Sequence, residues 1–162
     1  SMVRGALAVK KWPYITFPLV ALAVGFLSSF LSREGMTTVY PTLQKSALTP
    51  PYWVFPVVWA VLYVLMEVGL ALVVNKGGAG VPPAFRLWVL QLAANFSWTL
   101  LFFGAGAHLA PLVCRGVVWL VVLGMILAFA RVSRPAAWLQ VPYLLWLTFA
   151  AYLNYMVWIL NK

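Results

Sequence analysis

Two acids (Glu34 and Glu67), one histidine (His108) and one cysteine (Cys114) are all that this chain of 162 residues offers for acid–base, nucleophilic or metal chemistry. Such a set cannot assemble a catalytic triad, a metal cluster or a phosphate-binding loop. A lone loop histidine beside glycine is ordinarily solvated, with haem ligation the minor alternative. A single cysteine excludes an internal disulfide. No catalytic residue, no metal site and no covalently held cofactor is therefore expected. What the chain has in abundance is aromatic surface, including nine tryptophans. Indoles bury a large apolar face and stack on flat apolar molecules, so any chemistry must come from a bound molecule or from the indoles themselves.

The elements that position these rings follow from composition. The chain is 65% hydrophobic and 8% charged, more apolar surface than a small water-soluble domain can hide. A bilayer can absorb it. Crossing the hydrocarbon core takes about 20 apolar residues as helix, and the gaps between charges define five such stretches. Residues 12–32 carry no charge, residues 54–74 carry only Glu67, and residues 87–114 are uncharged but broken by Gly104, Gly106, His108 and Pro111. Only 15 uncharged residues separate Arg115 from Arg131, so the fourth helix must start near Pro111 and carry Arg115 in its first turns; proline suits a first helical position. The runs are apolar all round, unlike the alternation of a barrel strand. The expected fold is all-α: a polytopic membrane protein forming a single domain over residues 1–162. Its five transmembrane helices are expected at about 13–32, 53–74, 85–104, 111–130 and 136–160, with a capping loop at about 33–52.

The net charge of +9 is read as topology rather than as nucleic-acid binding, because basic loops mark the cytoplasmic side. Arg4, Lys10, Lys11, Lys76, Arg86, Arg131 and Arg134 fall on one side, and Arg33, Lys45, Arg115 and Lys162 on the other. That balance puts the N-terminus in the cytoplasm. Ser1-Met2 reads as a cloning remnant, and the first apolar run as a retained helix rather than a signal peptide.

The first loop is long and apolar, holding Met36, Val39, Tyr40 and Leu43 before Pro50-Pro51 and Trp53. Long loops in compact proteins are commonly functional, and this one is expected to fold as a cap over one mouth of the bundle, the alternative being a segment lying on lipid. Gln91, Asn95, Trp98 and Phe102 share one face of the third helix; Trp146, Ala150, Leu153 and Asn154 share one face of the fifth. Interhelical hydrogen bonding is the expected use of the asparagines. Trp12, Trp88, Trp138 and Trp158 fall near span ends and suit an aromatic belt, while Trp53 and Trp146 are the pocket candidates. Glu67, a carboxylate in mid-span, is a functional candidate by its position; its possible partners are Arg115, Tyr63 or a polar group across a dimer interface.

Three spaced blocks resemble the translocator protein family, the tryptophan-rich sensory proteins also called peripheral benzodiazepine receptors. They are Leu43-Gln44-Lys45 with Thr49-Pro50-Pro51-Tyr52-Trp53-Val54-Phe55-Pro56-Val57-Val58-Trp59; Gln91-Leu92-Ala93-Ala94-Asn95-Phe96-Ser97-Trp98 running into Gly104; and Pro142-Tyr143-Leu144-Leu145-Trp146 with Phe149-Ala150 and Leu153-Asn154. The resemblance implies a five-helix bundle, often a homodimer, whose first loop closes a pocket for porphyrins, sterols and benzodiazepine- or isoquinoline-type ligands. It places the two pocket tryptophans on Trp53 and Trp146, the small ligand-facing position on Ala150 and the polar residue of the third helix on Asn95. Trp98 and Leu153 join the expected ligand-binding set through the faces they share. The chain departs from the family at Lys45-Ser46-Ala47-Leu48, where Lys-Pro-x-Trp is usual, and at Glu67, where a small residue is usual. The spacing of Leu153, Tyr155 and Lys162 misses the sterol-recognition pattern.

The expected function is a membrane receptor, sensor or carrier for tetrapyrroles (porphyrin or haem as ligand, not cofactor) and similar flat apolar molecules. Two alternatives are light-dependent porphyrin degradation, in which Trp53 and Trp146 would act, and transport across the bilayer. The expected location is the bacterial cell membrane, with the mitochondrial outer membrane as the alternative, and the expected partners are lipid, the apolar ligand and a second copy, with no nucleic acid.

Overall fold

The computed structural model describes residues 11–105 and 109–162, apart from a few side chains between residues 28 and 39 and at 105. Arg4, Lys10 and His108 lie outside the described residues. Among those described there is no strand. The chain runs as α1 (Pro13–Glu34), a wide π turn (Gly35–Val39), a 3-10 turn (Tyr40–Thr42), α2 (Val54–Lys76), α3 (Val81–Ala105), α4 (Leu109–Val132), the short α5 (Arg134–Trp138) and α6 (Val141–Asn161). Helices α2, α3, α4 and the α5–α6 pair are each long and apolar enough to cross a membrane.

Prolines set most of the boundaries. Pro82 and Pro83 stand in the first turn of α3, where the absent N–H is no loss, so α3 begins at Val81, ahead of the expected residue 85. The last segment, expected as one helix over 136–160, is divided. Ser133 caps α5, its hydroxyl accepting from the Ala136 N–H. Pro142 then cannot donate to the Trp138 carbonyl and would clash with it, so α5 stops at Trp138 and α6 restarts at Val141. Gly77 and Gly78, at φ of 74° and 99°, make the turn between α2 and α3 in a backbone region that costs other residues strain.

In space α1 packs on α2 and α3, α3 on α4, and α4 on α6, which closes more loosely against α2. The core is apolar and aromatic, with Met66, Leu70, Val122, Met125, Phe129, Tyr143 and Leu147 fully buried. The outer surface is also apolar: Phe26 is 76% exposed, and Leu19, Leu120 and Leu145 are exposed as well. Side chains of this kind suit lipid, where every backbone polar group must be satisfied internally, as in these helices. Trp12 and Trp138 stand exposed at helix ends, where an aromatic belt would lie.

Trp88 departs from the belt expected of it. It is 3% exposed and packs on Phe17 and Phe85 at centroid distances of 5.3 and 5.6 Å. The reason is the early start of α3, which places Trp88 two turns inside the helix, and a polar partner there, Glu67, whose Oε1 accepts from the Trp88 indole N–H at 3.3 Å.

The α5–α6 break is locked onto α2 by Gln140, whose buried amide donates to the carbonyls of Leu65 and Ala136, each at 3.2 Å. Gly69 permits that approach: a Cβ there would collide with the Gln140 amide and lie 3.1 Å from the Ala136 carbonyl oxygen. Overpacking of this kind costs about 1–3 kcal/mol. Gly69→Ala is therefore expected to lower the unfolding temperature in detergent, whereas Gly116→Ala, whose Cβ meets nothing within 4 Å, is expected to leave it unchanged or raise it.

Candidate functional site

The face that α3 turns inward carries Gln91, Asn95, Trp98 and Phe102, and the inward face of α6 carries Tyr143, Trp146, Ala150, Leu153 and Asn154. Hydrogen bonds fix the two faces against each other. The Asn95 amide donates to the Tyr143 hydroxyl and to Gln91 Oε1 at 3.2 Å. Tyr143 donates to the same Gln91 oxygen at 2.8 Å. One turn nearer the loop, the Trp98 indole N–H donates to Asn154 Oδ1 at 2.7 Å. Amides and hydroxyls buried without partners would each cost about 1–3 kcal/mol, so these bonds act as register pins. Asn95 and Asn154 spend their polarity on neighbouring helices.

Above and between these faces lies a cavity of about 300 Å³, within the range of small-molecule sites. Its lining comes from α2 (Phe55, Trp59, Tyr63), α3 (Asn95, Trp98, Phe102, Phe103), α6 (Trp146, Ala150, Leu153, Asn154) and the loop (Met36, Tyr40, Lys45, Tyr52), with Arg115 contributed by α4. The rings form a connected wall. Phe55 meets Trp146 edge-on at 5.9 Å, Trp98 stacks on Phe102 at 5.0 Å and 17°, and Tyr40 bridges Tyr52 to Phe102 and Phe103 at 5.6, 6.1 and 5.8 Å.

The loop is held as a lid by polar contacts. The Lys45 ammonium donates to the carbonyls of Tyr40 and Leu43 at 3.0 and 2.9 Å. The Gln44 backbone and the Asn161 amide exchange two bonds of 3.0 and 2.8 Å. The Ser46 and Tyr152 hydroxyls lie 3.1 Å apart. Gln44 and Ser46 thus tie the loop to α6 rather than to lipid. Burial, and secondarily the neighbouring Tyr52, pushes the Tyr40 hydroxyl above its ordinary pKa, so it stays a neutral donor at physiological pH.

Of the six residues expected to bind ligand, Asn95, Trp98, Trp146, Ala150 and Leu153 line this cavity. Trp53 does not: it is 67% exposed. A helical step of about 100° per residue turns Trp53 about 200° from Phe55, and it is Phe55, with Trp59 one turn on, that faces inward. The i, i+4, i+8 spacing of Phe55, Trp59 and Tyr63 carried that signal. Lys45 and Tyr40 were visible only as members of a loop, and nothing local in the sequence marks their contacts.

Glu67 and Arg115 do not form an ion pair. Glu67 Oε2, Arg115 Nε and Arg115 Nη1 are buried without hydrogen-bond partners. The Arg115 guanidinium instead lies 3.6 Å from the Trp98 ring centroid, a cation–π contact, while Glu67 is held by Trp88. No group of histidine, cysteine and acid side chains able to hold a metal is found among the described residues.

Comparison with known proteins gives concordant relationships. The model of the TspO/MBR family matches residues 17–159. The tryptophan-rich protein TspO of Chlorobaculum tepidum is 41% identical over 144 residues, covering 88% of this chain and 91% of its own. The translocator protein of Ovis aries is 38% identical over 155 residues, covering 90% and 88%. The tryptophan-rich sensory protein of Cereibacter sphaeroides is 39% identical over 122 residues, covering 75% and 76%.

The separate placement of Glu67 and Arg115 has a measurable consequence. Trp88→Phe removes the donor to Glu67 and is expected to cost about 1–3 kcal/mol. Glu67→Gln and Arg115→Gln are expected to combine additively, within about 0.3–0.5 kcal/mol, when unfolding is followed in detergent. A coupling well beyond that would mean that the two charges sense each other directly.

Proposed function

The chain belongs to the TspO/MBR family, and from that membership and the cavity's geometry we propose that it is a membrane receptor or carrier whose site, closed by the first loop, takes tetrapyrroles and other flat apolar molecules. The observation that carries this reading is the connected aromatic wall around the cavity, Phe55–Trp146 on one side and Trp98–Phe102 on the other. Most of the affinity would come from burying the ring system between these side chains, with Ala150 keeping the α6 wall low enough to admit it. Benzodiazepine- and isoquinoline-type ligands share the flat apolar shape that the wall would accept.

In the same reading α1 is the fifth crossing, with the N-terminus in the cytoplasm. Burial of Arg115 within the bundle supports that orientation, because it removes one cation from the opposite side and leaves seven basic residues on the cytoplasmic side against three. The protein would act in a bacterial cell membrane as a homodimer.

Protoporphyrin IX titrations read by tryptophan quenching test the proposal. Trp146→Ala is expected to weaken binding by about 1–3 kcal/mol, the scale of burying a large apolar side chain. Trp53→Ala and Trp158→Ala, outside the lining, are expected to leave the affinity near that of the wild type. Equal losses in all three variants would remove the cavity as the site. Illumination during the same titration separates binding from breakdown: retention of the porphyrin absorbance shape supports a receptor or carrier, and bleaching into new bands would make the protein a photochemical enzyme.

A further inference from the structure

Two cations line the cavity, Lys45 at its mouth and Arg115 in its wall, and among the described residues no carboxylate does. The two cations are not equivalent. Lys45 is half-buried and its ammonium is occupied by two loop carbonyls. Arg115 is 2% exposed, and its Nε and Nη1 have no acceptor. Its position, six residues into α4 from Leu109, puts it about 9 Å below that helix end at 1.5 Å per residue. The Trp98 ring beneath the guanidinium holds it in place but accepts no hydrogen bond from its edges.

An arginine in such a place is anomalous on energetic grounds. A guanidinium does not shed its proton in proteins, so it cannot escape desolvation by becoming neutral, and a buried charge is tolerated when it is paired. Glu67 does not serve as its counter-ion. Among the described side chains there is no other carboxylate, and the place left for an anion is the cavity that Arg115 lines. A fork of N–H groups suits a carboxylate in particular, which it can bind through two parallel bonds.

We propose that Arg115 is the anchor for a carboxylate carried by the ligand, so that the site selects flat apolar acids over their neutral counterparts. The proposal rests on the reading of the cavity as a tetrapyrrole site and adds to it the ionic group that the ligand must bear. The ring system lies against Trp98, Phe102 and Trp146, and its acidic edge turns toward α4.

The test compares protoporphyrin IX with its dimethyl ester, the same ring without the negative charges, in uncharged maltoside micelles. Wild type is expected to bind the acid about ten-fold or more tightly than the ester, the scale of one charge-assisted hydrogen bond. Arg115→Gln is expected to bring the acid down to the affinity of the ester and leave the ester unchanged. Lys162→Gln, which removes a cation outside the cavity lining, is expected to keep the preference. Equal binding of acid and ester by the wild type, or a preference that survives in Arg115→Gln, overturns the role of Arg115 and leaves the tetrapyrrole reading standing. Failure of the wild type to bind either form sinks that reading and this inference with it. If Arg115→Gln loses the ester as well, its pocket has collapsed, and Arg115→Lys decides: retained preference for the acid supports the anchor, and equal affinity overturns it.

Discussion

An amide or hydroxyl surrounded by hydrocarbon must find its partner within the protein, and on this constraint the arrangement of the bundle depends. Gln91, Asn95 and Tyr143 satisfy one another between α3 and α6, and Trp98 and Asn154 do so one turn away. Apolar packing alone would tolerate rotation or sliding of one helix on another, because the lipid-facing and inward-facing surfaces are nearly equally hydrophobic. Directional bonds do not tolerate it. They select one rotation of each helix, and that rotation turns Trp98, Phe102, Trp146 and Ala150 to the same side.

The lid follows from the same constraint. Backbone between α1 and α2 that is not helical needs partners if it is to lie against the cavity, and Lys45 and Asn161 provide them, while the Tyr152 hydroxyl meets that of Ser46. Ser46-Ala47-Leu48 bring no tryptophan to this part of the loop. Tyr40, packed among Tyr52, Phe102 and Phe103, supplies aromatic cover at this mouth. Gln140 plays the corresponding part at the other end of α6, filling the notch at Gly69 and closing the seam that Pro142 opens.

Much of this was legible in the sequence because the period of a helix and the distribution of charge are global signals. The all-helical class, the apolar spans and the shared faces of Asn95 with Trp98 and of Trp146 with Asn154 all follow from spacing. Local choices were less legible. Trp53 and Phe55 are two residues apart in an aromatic-rich segment, and only the rotation of α2, set by its neighbours, decides which one faces inward. Trp88 resembled an interfacial tryptophan until the start of α3 moved four residues earlier. Arg115 and Glu67, the two charges nearest the bilayer centre in sequence, invited pairing, yet each is held by an indole instead, Arg115 over Trp98 and Glu67 beside Trp88. Tertiary placement of that kind leaves no periodic trace.

In the proposed function the space between α2, α3 and α6 is a ligand site whose walls and charge suit a flat apolar acid. An experimental structure of the protein in lipid, loaded with protoporphyrin IX, tests it most directly. The macrocycle is expected between Trp146 and Trp98, beneath Tyr40, with a propionate oxygen within hydrogen-bond reach of the Arg115 guanidinium. A macrocycle seated on the lipid-facing surface, with the cavity still closed and Arg115 Nε and Nη1 still without acceptors, would overturn that reading.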